Sequence, residues 1–158
     1  HLQVTSPAID SGTNANCPAT DLDEVLRPFN GVCDIGTYEY GPGAMLAINY
    51  ESGAPGSIFT LSGSHFPPNE IAAISVNGTA LGTIPTDGNG YITFLLSTTD
   101  ADVGTYYVSA SVNPSAVVRF ILSSDEPTRP QEGSGTVFDI PSGIAYTDTV
   151  LLPIVIRE

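Results

Sequence analysis

Carboxylates crowd the start of this chain: Asp10, Asp21, Asp23, Glu24 and Asp34 lie close to a single arginine, Arg27. Oxygen-rich clusters suit Ca²⁺, but the regular ligand alternation of an EF-hand loop is missing. The reading the spacing favours is structural: Asp10, Asp21 and Asp34 cap turns and pair with Arg27. Such a carboxylate–guanidinium fork fixes loop geometry more than it stabilises. A second acidic loop, Asp87-Gly88-Asn89-Gly90, reads as a hairpin turn rather than a cation site. No metal ligands and no cofactor are expected.

Catalysis finds little support in the residue types. A nucleophile needs an adjacent base. His65 is the internal histidine, placed just before Phe66-Pro67-Pro68, and no Gly-x-Ser-x-Gly elbow occurs. Without any lysine a phosphate-binding Gly-Lys-Ser/Thr loop is impossible. Carboxylates are plentiful, yet no spacing singles out a pair for glycoside hydrolysis. Seven tyrosines, Tyr38, Tyr40, Tyr50, Tyr91, Tyr106, Tyr107 and Tyr146, supply faces for sugar stacking in a chain without tryptophan. Strand packing accounts for most of them.

Cys17 and Cys33 sit in one loop-rich segment. An even count in a chain of secreted character suggests a disulfide. Two buried thiols, or half of a metal site, are the alternatives, although no Cys-x-x-Cys or His-x-x-x-His spacing accompanies them.

The net charge is −13, built with arginine as the only basic residue besides two histidines. Nucleic acid and anionic membrane surfaces require a basic patch, so neither is an expected partner. No apolar run approaches the length of a membrane span, and no signal peptide is visible. With 41% apolar and 13% charged residues, the 158-residue chain has enough to build a core.

Abundant glycine and proline, and no helical periodicity, predict an all-β chain. A strand is expected at His1–Thr5, and alternation at 35–40 reads as another. Gly41-Pro42-Gly43 marks a boundary. Strands then follow at 44–50, 56–62, 71–77, 79–84, 90–97, 104–112 and 116–122, a spacing that reads as a β-sandwich. Asn77-Gly78 is a two-residue hairpin signal, since both residues tolerate positive φ. The expected core is Ile58, Leu61, Ile74, Phe94, Leu96, Val108 and Phe120. Residues 123–135 read as a polar linker. The final run, with Val150, Leu151, Leu152, Ile154, Val155 and Ile156, is apolar on both faces and reads as a docking strand. Its Pro153 suits an edge or inserted position.

Three stretches carry resemblances. Ser6-Pro7-Ala8-Ile9-Asp10, Asp21, Arg27-Pro28 and Asp34-Ile35-Gly36-Thr37-Tyr38-Glu39 resemble the closing segment of secreted bacterial right-handed parallel β-helix proteins. Gly56–Asn69, with Val76-Asn77-Gly78 and Thr86–Gly90, resembles the opening of bacterial surface Ig-like repeats. Asp102-Val103-Gly104-Thr105-Tyr106-Tyr107-Val108 is similar to Ig strand F, with Val108 in the cysteine position. That similarity implies a tyrosine corner of Asp102, Gly104 and Tyr106. The last run resembles the Leu-Pro-x-Val-Ile-Arg-type tails of secreted bacterial proteins. Together they imply a β-helix terminal segment at 1–42, an Ig-like antiparallel β-sandwich at 43–123, and a linker with docking strand at 124–158. The implied protein is secreted or cell-surface, non-enzymatic and structural or adhesive. Its partners would be other copies of itself or an upstream β-helix. The other implied role is an accessory carbohydrate-binding region of a polysaccharide-active β-helix enzyme.

Overall fold

Alternating strands and turn residues build two sheets. The computed structural model describes residues 1–3, 5–23, 25–29, 31–41, 43–112 and 115–147. The strands are β1 Met45–Ile48, β2 Ser52–Gly53, β3 Ile58–Ser64, β4 Ile71–Val76, β5 Thr79–Pro85, β6 Ile92–Ser97, β7 Gly104–Ser111, β8 Ser115–Leu122 and β9 Thr136–Asp139. One sheet has the order β1-β3-β6-β9 and the other β2-β8-β7-β4-β5. No helix occurs among the described residues. The seven strands expected from alternation are present, with no end shifted by more than two residues.

Period-two patterning fixes which side chains enter the core. Along β7 Tyr106, Val108 and Ala110 are buried, and along β4 Ala72, Ile74 and Val76. The inner faces meet in an aromatic cluster. Phe120 lies 4.6 Å from Phe59 and 5.2 Å from Tyr106, centroid to centroid. Leu61, Ile74, Phe94, Leu96, Val108 and Phe120 are core residues as expected. Ile58 is only half-buried, because Phe59, its neighbour of opposite parity, points inward.

Two features depart from the sequence reading. The sheets are mixed rather than antiparallel: β2 runs parallel to β8, and β9 parallel to β6. The sandwich also does not end at residue 123. β9 extends the first sheet, carrying Phe138 and Ile140 into the core. Four residues paired in parallel give no alternation long enough to be read as a strand.

Residues 123–135 are likewise held against the body rather than left as a free linker. Arg129 O accepts the Ile58 N–H at 3.0 Å and Pro127 O the Ala54 N–H at 3.1 Å. Arg129 Nε donates to Ser52 O at 2.9 Å, and its guanidinium lies 4.8 Å from the Tyr50 ring centroid. Tyr50 Oη donates to Glu132 Oε1 at 2.6 Å, and Thr60 Oγ1 to Glu132 O.

The Glu132 bond holds the Tyr50 hydroxyl above the usual phenol range. The bonds from Tyr50 and Asn49 hold the Glu132 carboxyl below the usual carboxylate range. A lowered carboxyl contributes stability above its unfolded pKa and loses it as pH falls through the folded value. A raised phenol contributes below its unfolded pKa and loses it as pH rises through the folded value. Tyr50→Phe is therefore expected to melt lower than the parent at neutral pH. The gap should close at both acid and strongly alkaline extremes, as read from melting curves across pH.

Turn residues fix the connections. Asn77 and Gly78, at φ 48° and 82°, make the β4–β5 hairpin. At the β5–β6 turn Gly90 has φ 73°, and an added Cβ would run into the Phe66 carbonyl oxygen. Gly90→Ala should lower stability by about 2–3 kcal/mol. Gly43→Ala, with open space around it, should stay within about 0.5 kcal/mol. Urea unfolding of the two variants checks this.

Candidate functional site

The acidic residues and Arg27 converge in the N-terminal segment, where the described residues form turns and no strand. The expected strands at His1–Thr5 and 35–40 are absent among them. The reason lies in where the backbone N–H groups go: many are met by carboxylates rather than by a neighbouring strand.

Glu39 stands at the centre, its side chain fully buried and that of Arg27 only 5% exposed. Arg27 Nε donates to Glu39 Oε2 at 2.9 Å. The rest of the guanidinium donates to main chain, Nη1 to Gly36 O at 3.0 Å and Nη2 to Asp34 O at 2.8 Å. Glu39 also accepts the N–H of Phe29 at 2.7 Å and of Asp34 at 3.0 Å.

Two aspartates extend the pattern. Asp34 accepts the N–H of Asp10 at 2.6 Å and of Tyr40 at 2.5 Å. Asp21 accepts the N–H of Glu39 at 2.9 Å, of Asp23 at 2.7 Å and of Val25 at 2.9 Å. Both are buried.

This corrects the expected ion pair. The carboxylate salt-bridged to Arg27 is Glu39. Asp34 meets Arg27 through its backbone carbonyl, and the Asp21 and Asp34 carboxylates serve backbone N–H groups. Asp10 enters this network through its own N–H. Glu39 is hard to single out in the sequence because the alternation of 35–40 imitates a strand. The available signal was chemical: a glutamate near the only arginine of the segment.

Three buried carboxylates against one arginine leave excess negative charge, and backbone dipoles compensate it. The same dipoles make the cluster a poor cation cage, since its oxygens face donors. Among the described residues no group of three or more His, Cys, Asp or Glu side chains has metal-binding geometry.

The Cys17–Cys33 disulfide closes this segment, with Cα atoms 6.4 Å apart. Asn14 fastens the same strip, accepting the Cys33 N–H at 2.9 Å and donating to Gly31 O at 2.8 Å. Closing a loop with sequence separation 16 stabilises by about 3 kcal/mol.

The remaining candidates are also structurally occupied. Tyr106 is buried, and its hydroxyl donates to Asp102 O at 2.6 Å. Burial, and after it the Asp102 charge, push that hydroxyl above the usual phenol range. Gly104, at φ 145°, leaves room for the Tyr146 carbonyl oxygen, which an added Cβ would meet at 2.8 Å. Asp87 Oδ1 accepts the N–H of Asn89 and of Tyr91 at 2.8 and 2.9 Å, the bonding of a turn. His65 Nδ1 lies 3.1 Å from Ser64 Oγ, and its ring sits 5.6 Å from Phe29. Val150, Leu151, Leu152, Ile154, Val155 and Ile156 lie outside the described residues.

No family model, no curated protein and no solved structure matches this chain.

Removing one member of a buried pair leaves the other charge uncompensated, at a cost of about 3–5 kcal/mol. Arg27→Met and Glu39→Gln are each expected to open the 1–41 segment. Native-state proteolysis should then cut it at least a hundredfold faster, with the sandwich still resistant. Arg27→Lys should not rescue, because an ammonium cannot span Glu39, Asp34 O and Gly36 O together. Unchanged cleavage would contradict the assigned role.

Proposed function

We propose that this chain is a non-enzymatic extracellular structural or adhesive module that builds or anchors a cell-surface assembly by β-strand docking. The observation that carries this reading is β9. The β5–β6 connection is a tight turn, so no strand between them flanks β6 on its open side. That edge is filled in parallel by Thr136–Asp139, from about forty residues downstream. The sandwich thus accepts a strand delivered by a distant stretch of chain, which is the chemistry of strand addition. Main-chain bonds supply affinity and Phe138 fills the core.

The terminal run Val150–Ile156 supplies the next strand in this account. It is apolar on both faces, so it needs cover on both. Its acceptor is another copy of the chain or an upstream β-helix, and head-to-tail insertion does not close, so it yields filaments. The open acceptors are the edge strands β1, β9, β2 and β5.

The Ig-like reading draws support from strand order. β8-β7-β4-β5 follows the order of Ig strands G, F, C and C′, β1-β3-β6 that of A, B and E, and the Tyr106–Asp102 bond lies at the tyrosine-corner position. The β-helix reading of 1–42 rests on the sequence resemblance, and the disulfide agrees with an oxidising, extracellular setting. The buried polar residues agree with a structural part, since Asp21, Asp34, Glu39 and Arg27 are spent on one another and on main chain.

Deleting residues 148–158 tests the proposal. The truncated protein should keep its sandwich and lose assembly, seen as a shift to monomer in sedimentation velocity and loss of fibres in negative stain. Unchanged assembly would refute docking by this run.

A further inference from the structure

Tyr107 and Tyr146 stand together on the outer face of the five-stranded sheet, ring centroids 6.1 Å apart and planes tilted by 59°. They are 45% and 56% exposed. Distant parts of the chain deliver them, through specific bonds. Tyr146 pairs with Thr105 in both directions, at 3.1 and 2.8 Å. Thr105 and Tyr107 share one face of β7 by alternation, so this bridge sets Tyr146 beside Tyr107. Asn77 locks the arrangement. Its Nδ2 donates to Thr105 O at 3.0 Å and Ile144 O at 2.7 Å, and its Oδ1 accepts the Tyr107 N–H at 2.8 Å.

Directly across β8 from Tyr107 is Arg119, which is exposed. Arg27 is bound to Glu39 and Arg129 to Glu126. Among the described residues Arg119 is the arginine whose guanidinium has no hydrogen-bond or ion-pair partner. Two half-exposed aromatic rings, held from three segments beside a free five-donor fork, form an open, preorganised platform.

The geometry points to this platform binding a neutral polysaccharide chain. Pyranose C–H faces pack on the tyrosine rings, and Arg119 donates to sugar hydroxyls. Charge selects the occupant. A net charge of −13 repels polyuronates and other polyanions. A second copy is equally disfavoured, because a two-fold contact here would set Arg119 against Arg119 within two acidic bodies. The site does not depend on the strand-docking proposal, since it is complete at Tyr146 and needs nothing beyond it.

Affinity electrophoresis in gels containing soluble mixed-linkage β-glucan, galactomannan or dextran tests this, with polygalacturonate as the charged comparison. At least one neutral polymer should retard the protein. Tyr107→Ala and Tyr146→Ala should weaken retardation tenfold or more and Arg119→Ala about threefold, with melting curves checking the fold. Should Tyr146→Ala disturb the fold, amide shifts of the unmutated protein titrated with oligosaccharides of the retarding polymer read the site directly. They should cluster at Thr105, Tyr107, Arg119 and Tyr146. Retardation by none of the neutral polymers, by polygalacturonate alone, or equally in the tyrosine variants would overturn the assignment. So would shifts elsewhere on the molecule, or a dimer broken by Tyr107→Ala.

Discussion

A buried carboxylate cannot stand alone, and the first forty residues are organised around that constraint. Glu39 is fully buried and must be met by donors. Arg27 supplies one, and the N–H groups of Phe29 and Asp34 supply two more. Each partner commits further groups: Arg27 takes the carbonyls of Gly36 and Asp34, and Asp34 takes the N–H groups of Asp10 and Tyr40. A segment whose described residues form no strand thereby satisfies many of its backbone N–H groups through side chains. The disulfide limits the unfolded alternatives, while the carboxylates choose the folded one. The same commitments turn the oxygens of this acidic cluster toward donors, and among the described residues no group of three or more His, Cys, Asp or Glu side chains has metal-binding geometry.

The sandwich solves the opposite problem with the opposite means. Its backbone is satisfied by ladders, and its specificity comes from apolar side chains of alternating parity. The aromatic stack of Phe59, Phe120 and Tyr106 ties the sheets together. Its remaining need is cover for the open side of β6, and the downstream chain provides it. The Arg129, Glu126, Tyr50 and Glu132 contacts explain how a stretch rich in Pro, Gly, Ser and Glu lies along the body with almost no apolar side chain of its own.

Seven strands and the β4–β5 hairpin were legible because local patterning determines them: alternation sets the faces and Asn77-Gly78 sets the turn. The disulfide was legible from two cysteines in one loop-rich stretch, and the Tyr106 bond from the resemblance of Asp102–Val108 to Ig strand F. Three things were not. β9 is short and parallel, so its pairing depends on a partner forty residues away that no local pattern encodes. Glu39 was hidden by an alternation that imitates a strand, although its side chain serves as a hub. The pairing of Tyr107 with Tyr146 depends on Asn77 holding β7 and the stretch at Ile144 together, a tertiary fact without local signature. Non-local pairing and buried polar contacts are where one-dimensional reading stops.

Amide hydrogen exchange on the intact protein tests most directly the claim that carboxylates replace a ladder in residues 1–41. The N–H groups of Phe29, Asp34, Glu39 and Tyr40 should exchange slowly, comparable with sheet amides such as that of Leu61. Exchange of these four at the rates of exposed loops, with the sandwich amides still protected, would contradict it.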